Sequence, residues 1–288
     1  MAQIKSIVSI VLTLYLTLIF FVDAKCSSQD SPTPRYYLIE KCHRSKLGVA
    51  AKANLTSLFS CKRLGIEKKA LAFNYSPLSA VREAKEPLEY TCEVLKCAEA
   101  DGGFSLVNDS RFDYYSIYAK PIPEINSTCV PATGMFHLVP KRLNYTEARD
   151  ECRNMSAVLA DVTSEQRTEA LAQVLTAAGV TAAFVGLGRQ NTSQFSVLNG
   201  DSLDCTTYRA WAPGHPKRLF VKFDCVVITR QKTWQSVPCK TRFPALCELV
   251  PGGPYKVGSL FASCPPRFHS GISEFRRELQ DKTQQDKK

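Results

Sequence analysis

The spacing of hydrophobic and polar residues changes character along this chain, and the first segment is the most uniform. An almost unbroken apolar run from Ile7 to Val22 follows Lys5 and ends in the small-residue pattern Val22-Asp23-Ala24. This layout predicts a cleavable secretory signal at 1–24, with the mature chain beginning near Lys25. The run is short for a membrane span, so an uncleaved signal anchor is the weaker alternative. No second apolar run of spanning length follows, and we expect no stable membrane anchor.

Between the signal and about residue 129, short apolar segments alternate with cysteines. Apolar spacing over Ser45–Leu64 predicts a helix, and Ala70–Tyr75 predicts a buried strand. The aromatic run Phe112–Tyr118 predicts another strand, although it could instead form a platform that stacks on sugar rings. Prolines and glycine interrupt any periodic pattern over 120–134, which indicates a seam between two modules.

Beyond residue 140 the pattern becomes helical and then strand-like. The run Asn144–Cys152 predicts one helix. A second helix is predicted from Thr163, because Gln166 three residues later fits a capping box, and Gly179 can end it. Short apolar segments then predict strands at 184–187, 225–228, around 234, and 244–249.

This second half carries a set of motifs in a fixed order. They are a Thr-Glu-Ala helix that ends in cysteine, a Phe-Val-Gly-Leu strand, a Trp-x-x-Gly-x-Pro turn and three final cysteines, at Tyr145 to Cys152, Phe184 to Leu187, Trp211 to Pro216, and Cys225, Cys239 and Cys247. In these motifs the chain resembles the C-type lectin-like family, although Tyr145 and Phe184 replace tryptophan. The resemblance implies an α+β fold with two helices, a long loop region and a small antiparallel sheet. It also implies the disulfides Cys152–Cys247 and Cys225–Cys239.

The first module has a looser set of motifs. A helix with a cysteine is followed by Ala72–Pro77, then by Cys92 and Cys97, and then by Asp113–Tyr115. This succession resembles the PAN/apple family, which implies a small extracellular interaction module with a helix packed on an antiparallel sheet. The expected organisation is therefore a signal peptide at 1–24, a PAN/apple-like disulfide-rich module at 25–129, a linker at 130–134, a lectin-like domain at 135–250 and a polar tail at 251–288.

Cysteines and glycosylation sequons indicate an oxidising, extracellular compartment. All twelve cysteines lie beyond the signal, and their even number fits complete pairing. We expect Cys205 to pair with Cys264, and the cysteines at 26, 42, 61, 92, 97 and 129 to pair among themselves. Seven Asn-x-Ser/Thr sequons predict N-glycosylation, although Asn74 lies in an apolar stretch that could escape it: Asn54, Asn74, Asn108, Asn126, Asn144, Asn154 and Asn191.

The resemblance also identifies the positions that hold calcium in sugar-binding members of the family. Those members use a Glu-Pro-Asn motif, a glutamate two residues before the cysteine that corresponds to Cys225, and Asn-Asp after a tryptophan. The same positions here are His215, Lys217, Phe223, Gln235 and Ser236. Calcium prefers hard oxygen ligands, and none of these positions carries a carboxylate. We therefore expect no metal and no calcium-dependent sugar binding.

Basic residues replace the missing carboxylates. Seven lie between residues 215 and 242 against one acid, Asp224: Lys217, Arg218, Lys222, Arg230, Lys232, Lys240 and Arg242. They form either a solvated surface that aids solubility or a surface that binds an anionic ligand without metal. The formal net charge of the whole chain, +10, favours acidic proteins and sulfated or carboxylated polysaccharides, whereas nucleic acid is not expected in this compartment.

Catalytic motifs are missing from the sequence. The histidines His43, His137, His215 and His269 show no His-Glu-x-x-His spacing, and there is no Gly-x-Ser-x-Gly elbow. We expect a secreted recognition or adhesion protein, not an enzyme and without a cofactor, that binds an extracellular protein or a structural or anionic polysaccharide. Resemblance to lectin-like proteins of invertebrate extracellular matrix suggests a role in matrix or cuticle. The alternatives are a soluble immune lectin for microbial carbohydrate and a regulator of a secreted protease or growth factor.

Overall fold

A computed structural model describes Cys26 and residues 33–83, 88–100, 105–119, 122–189, 194–198, 200–217 and 222–252. These residues belong to two compact units. The N-terminal unit contains 36–99 and 105–119, and the C-terminal unit contains 122–252 together with Cys26 and 33–35. The predicted signal peptide, Cys264 and the tail from 253 onward lie outside the described residues. Within the described part of the chain, no helix is long and apolar enough to cross a membrane.

The N-terminal unit is built on a five-stranded antiparallel sheet in the order β1-β7-β4-β5-β3, while β2 and β6 form a separate pair. Its helix α1 packs against β4 and β5, and the disulfide Cys61–Cys92 joins α1 to β5. The elements are β1 (Tyr37–Glu40), β2 (His43–Ser45), β3 (Val49–Ala53), α1 (Leu58–Glu67), β4 (Ala72–Tyr75), α2 (Leu78–Glu83), β5 (Cys92–Leu95), β6 (Leu106–Asn108) and β7 (Asp113–Ser116).

Two sequence predictions for this unit are corrected. The helix expected over 45–64 begins only at Leu58, because Ser57 caps it with a hydrogen bond from Ser60 N to Ser57 Oγ of 3.1 Å. The residues before it form strands β2 and β3. The aromatic run 112–118 contains strand β7, which is shorter than predicted and covers Asp113–Ser116. Its rings are buried on both faces, and Tyr115 stacks on Phe73 with ring centroids 4.8 Å apart. It therefore presents no open platform to a sugar.

A buried carboxylate organises the polar interior of the N-terminal unit. Glu93 on β5 is fully buried and accepts hydrogen bonds from Arg44 Nε at 2.6 Å, Arg44 Nη2 at 2.7 Å and Asn74 Nδ2 at 3.0 Å. Burial acts to raise the pKa of Glu93, but these hydrogen bonds outweigh it and the pKa is lowered. Asn74 also exchanges hydrogen bonds with the backbone of Ser45. Its amide has no room for a glycan, so Asn74 is removed from the predicted glycosylation sites.

The C-terminal unit is built on an eight-stranded sheet with the main order β14-β13-β11-β15-β9-β8, in which β10 pairs with β15 and β12 with β11. The sheet is antiparallel except between β11 and β15, which pair in parallel. The elements are β8 (Ser127–Val130), β9 (Gly134–Leu143), α3 (Tyr145–Asn154), β10 (Ala157–Leu159), α4 (Glu165–Ala177), β11 (Ala182–Gly188), β12 (Ser196–Val197), a 3-10 turn (Leu203–Cys205), β13 (Cys225–Thr229), β14 (Trp234–Val237) and β15 (Phe243–Leu249).

The boundary between the units lies upstream of the predicted one. Strand β8 pairs with β9 from Ser127 to Val130, so these residues belong to the C-terminal sheet. Residues 131–133, within the expected linker, form the turn of this hairpin. The prolines of 120–134 did not show that Ser127–Val130 already belong to the second sheet.

Both predicted helices of the C-terminal unit are present. Helix α3 begins with a capping box, in which Asn144 Oδ1 accepts from Glu147 N at 3.0 Å and Glu147 Oε2 accepts from Asn144 N at 3.1 Å. Helix α4 begins one residue later than predicted, because Ser164 is its N-cap. The Thr163 hydroxyl instead donates to Asp161. Gly179 follows the C-cap with φ +68°, a left-handed conformation that favours glycine.

The disulfides confirm the two core pairs, agree with the expected group in Cys61–Cys92, and correct the partner of Cys205. Cys152 pairs with Cys247 and Cys225 with Cys239, as the resemblance implied. Cys205 pairs with Cys26 and not with Cys264, so Cys26 leaves the group of six expected to pair among themselves. The two cysteines are 179 residues apart, and only folding brings them together. Cys42, Cys97 and Cys129 are also disulfide-bonded.

The core of the C-terminal unit centres on Trp234, whose side chain is fully buried. It packs among residues of α4 and strands β9, β11 and β13. Its indole Nε1 donates to Thr168 Oγ1 at 3.2 Å, and Thr168 Oγ1 in turn donates to the carbonyl of Val162 at 2.8 Å. One hydroxyl on α4 therefore satisfies two buried polar groups.

The Cys26–Cys205 bond gives the first test. Tryptic digestion of the unreduced mature protein, after removal of N-glycans, should release peptide 190–209 linked to a peptide that ends at Arg35, and reduction should separate them. Mass spectrometry measures this directly. Recovery of 190–209 linked to peptide 257–267, which contains Cys264, would contradict the pairing.

The second test concerns Thr168. Thr168→Val keeps the shape of the side chain but leaves the Trp234 N–H and the Val162 carbonyl without partners. Each buried unpaired group costs about 1 to 3 kcal/mol, so the free energy of unfolding should fall by at least that amount. Thr176→Val on the same helix is the matched control, because Thr176 is exposed and bonds only to its own helix at Ala172 O. Equal denaturation midpoints for the two variants would refute the role of Thr168.

Candidate functional site

The candidate site is formed by β14 and the loop segment that runs beside it. Trp234 N donates to Ala210 O at 2.7 Å, and Ala212 N donates to Trp234 O at 2.9 Å. The ring of Trp211 packs edge-on against Trp234, with centroids 5.6 Å apart. The loop is thus attached through both backbone and side chain to a fully buried residue. Because of this attachment, the turn that contains Trp211, Gly214 and Pro216 lies next to the predicted binding surface.

Ser236 forms hydrogen bonds with a residue of this turn and with the residue that follows it. Its hydroxyl is buried with a residue exposure of 1% and accepts from Lys217 N at 2.8 Å. The backbone N–H of Ser236 donates to His215 Nδ1 at 3.0 Å, and Nδ1 lies 3.2 Å from Ser236 Oγ. The peptide bond between His215 and Pro216 is cis. Three of the five positions that the resemblance assigns to calcium ligands therefore bind one another.

The protonation of His215 fits this arrangement. Burial lowers the pKa of His215 below its usual value, and the positive charge of Lys217 lowers it further. The imidazole is therefore neutral near pH 7. Because Nδ1 accepts the Ser236 N–H, the proton of the neutral ring is on Nε2.

The fourth position, Phe223, contacts the Lys217 side chain. Lys217 Nζ lies 5.3 Å from the centre of the Phe223 ring, within the range of a cation–π contact. The loop returns to the sheet beside Phe223, where Arg189 Nη2 donates to Phe223 O at 3.2 Å and Arg189 Nε lies 3.1 Å from Asp224 Oδ1. The single acid of the basic segment is thus paired with Arg189 and does not neutralise Lys217.

These residues do not fit a calcium ion. The Ser236 hydroxyl and the His215 Nδ1 are already engaged, Phe223 has no donor atom, and Lys217 brings a positive charge. The fifth position, Gln235, lies next to Ser236 on β14 and offers only a neutral amide. Across the residues that the structure describes, no group of three or more His, Cys, Asp or Glu side chains is arranged to hold a metal.

The predicted basic residues do not form one continuous surface. Lys217 and Lys222 lie at the loop end of the β13–β14 hairpin, and Lys240 follows Cys239 at the same end. Arg230 and Lys232 lie in the turn at the opposite end. The five residues of β13 separate the two ends by roughly 14 Å at ~3.4 Å per residue. That distance exceeds the Debye length of about 10 Å at 0.1 M salt, so the two ends act separately.

Ion pairs divide the set further. Lys232 Nζ lies 2.7 Å from Glu169 Oε1, and Arg242 Nη1 lies 3.3 Å from Glu147 Oε2. Lys217 and Lys222 are exposed, and neither forms an ion pair with a carboxylate of the described residues. Arg218 lies outside the described residues. We call Lys217 and Lys222 the loop lysines; together with Lys240, which is also exposed and forms no ion pair with a described carboxylate, they are the part of the predicted site at this end that is left to bind an anion.

Arg189 is the neighbour of this site that the sequence did not reveal. It belongs to no binding motif, and only the fold brings it to Phe223 and Asp224. Among the predicted glycosylation sites, Asn54, Asn108, Asn126 and Asn154 are exposed, Asn144 is half-buried, and Asn191 lies outside the described residues.

Comparison with known proteins identifies the family of this unit. The family model "Lectin C-type domain" matches residues 141–249. Collectin-10 of Gallus gallus is 28% identical over 116 residues, which cover 40% of this chain and 41% of the relative. Collectin-11 of Bos taurus is 25% identical over 114 residues, which cover 40% of this chain and 42% of the relative. The chain thus spans about two-fifths of the length of these relatives.

Solved structures were compared as well. Human lithostathine matches with 20% identity and a TM-score of 0.39, over 44% of this chain and 89% of that chain. The assignment rests on the family model and the two collectins, and it covers the region that holds the loop lysines. Residues 141–249 of this chain form a C-type lectin-like domain.

Proposed function

We propose that this protein is a secreted recognition protein whose lectin-like domain binds an anionic polysaccharide through the loop lysines, without calcium. The observation that carries the proposal is the contact of Lys217 N with Ser236 Oγ, which fixes a lysine where the resemblance places a calcium ligand. A site that uses a cation in place of calcium attracts sulfate or carboxylate groups directly.

Local charge supports an anionic ligand. The loop lysines are exposed, and Asp224, the acid nearest to them in sequence, is held by Arg189. The overall charge of +10 adds long-range attraction for the same class of ligand. The same chemistry would recognise an acidic extracellular protein. Binding tests with acidic proteins would reveal such a ligand.

The N-terminal unit supports a role in adhesion. It has a helix packed on an antiparallel sheet and a disulfide that joins the two, the arrangement implied by the PAN/apple resemblance. We propose that it serves as a second interaction module, and that the protein acts in extracellular matrix or cuticle by binding and not by catalysis.

A second candidate function is recognition of microbial carbohydrate by a soluble immune lectin. The similarity to two collectins favours it. Dependence on calcium separates the two candidates, because neutral-sugar binding through this fold relies on the ligands that are replaced here by His215, Lys217, Phe223, Gln235 and Ser236.

The loop lysines give the next prediction. Lys217→Ser with Lys222→Ser should weaken binding of the mature protein to heparin, used as a sulfated polysaccharide, by roughly tenfold or more, because two charge-assisted contacts are lost. The slope of log Kd against log salt should also become shallower. Arg230→Ser with Lys232→Ser removes the same charge at the opposite end of the hairpin and is the matched control. Equal losses in the two variants would show that only net charge matters.

Calcium gives a separate prediction. Heparin affinity and the unfolding midpoint of the mature protein should be the same in millimolar calcium and in EDTA, because the residues at the calcium positions do not fit the ion. Binding assays and thermal unfolding measure the two quantities. Binding of a neutral sugar that EDTA abolishes would overturn the proposal and support the immune lectin.

A further inference from the structure

A groove in the C-terminal unit has the opposite character to the loop lysines. It lies beside β10, between the start of α4 and the segment 197–206, and the Cys26–Cys205 disulfide lies at its edge. Its volume is ≈ 500 Å³, within the range of pockets that hold small organic ligands. Gly186 forms part of the wall; a Cβ there would lie 2.6 Å from Leu159 O and 3.1 Å from Leu198 Cδ1, so no larger residue fits.

Carboxylates dominate the polar part of the wall. Asp161, Asp201 and Glu248 line the groove, and Arg167 is the basic residue that pairs with two of them. Arg167 binds Oε2 of Glu248, which also accepts from Asp161 N at 3.3 Å. Oε1 of Glu248 accepts no hydrogen bond from the described residues. Among the residues that the structure describes, Asp161 and Glu248 share the single positive charge of Arg167, so this part of the wall has a net negative charge.

Two of the three hydroxyl groups of the wall already donate a hydrogen bond within the protein. Thr163 Oγ1 donates to Asp161 Oδ1 at 2.8 Å, and Thr206 Oγ1 donates to Leu203 O at 3.1 Å. The wall therefore offers mainly acceptors, and a complementary ligand must bring donors and positive charge.

The rest of the wall is aliphatic. Val158, Val197 and Leu198 line it, and Val158 is 41% exposed. An aliphatic stem can lie along such a surface while its charged end reaches the carboxylates. A metal ion fits less well, since no three acids of the described residues converge as a metal site.

From these observations we infer that the groove binds an aliphatic ammonium or guanidinium group. The two sources of this chemistry are the lysine or arginine side chain of a peptide and a free polyamine. The site is separate from the one in the proposed function, because neither Lys217 nor Lys222 lines the groove.

Val158 offers a direct test of the groove. It pairs across the strands with Glu248, so Val158→Lys places an ammonium group opposite that carboxylate, where it competes with the ligand. The matched control is Val250→Lys. Val250 belongs to the same unit, is 49% exposed and does not line the groove. Both changes replace an exposed valine, so folding should be retained and is checked by the unfolding midpoint.

Calorimetric titration of the mature protein with Nα-acetyl-lysine methylamide and with spermidine measures binding. Saturable binding of either probe is expected, and the probe that binds identifies the source. Val158→Lys should weaken it by roughly tenfold or more, and Asp201→Asn should weaken it as well, whereas Val250→Lys should not. The uncharged analogue Nα-acetyl-norleucine methylamide should not bind. Binding of neither probe, or equal affinity in Val158→Lys and the wild type, would overturn the inference.

The two sites can fail independently. Lys217→Ser with Lys222→Ser should bind the amine probes with unchanged affinity, because its substitutions lie outside the groove. Loss of amine binding in that variant would show that the groove is not the binding site, whatever the result with heparin.

Discussion

The burial of Trp234 is the interaction on which the C-terminal unit depends. Its indole fills the core and bonds to Thr168 on α4, while its backbone N–H and carbonyl hold Ala210 and Ala212 of the loop. The same residue thus joins helix, sheet and loop. A long irregular loop loses conformational entropy when it is ordered, and contacts to a fixed core residue offset that loss. The loop segment 210–212, which leads into the turn of the candidate site, is positioned by this attachment.

With the loop held in place, the chemistry of the site depends on the residues that occupy the five positions where sugar-binding members of the family hold calcium. Ser236 binds both His215 and Lys217, so the polar groups that remain near β14 serve the protein itself. A buried polar group without a partner is costly, and this network leaves none of these three unpaired. The lysine side chain is left pointing away from the network against Phe223. The ammonium group of Lys217 can therefore contact an anion at the place where sugar-binding members of the family use a calcium ion.

The C-terminal unit also separates charges of opposite sign. The loop lysines project from the loop end of the β13–β14 hairpin, whereas the groove beside β10 carries Asp161, Asp201 and Glu248. A net charge of +10 describes neither surface, because screening limits each group to its near neighbours. Arg167 and Arg189 show how the fold uses basic residues internally: each pairs with carboxylates of a neighbouring element and so is withdrawn from any ligand.

Sequence alone determined the features that depend on local order. Helix α3 itself, the glycine after α4, the aromatic strand β7, and the motif register that implied Cys152–Cys247 and Cys225–Cys239 were all predicted, because each rests on residues at fixed spacing. Only the tertiary structure decided which distant residues meet. It paired Cys26 with Cys205, buried Asn74 against Glu93, assigned β8 to the second sheet and divided five of the predicted basic residues between two ends of a hairpin. Strand pairing and disulfide partners depend on distance in space, and composition, parity and charge counts carry no information about that distance.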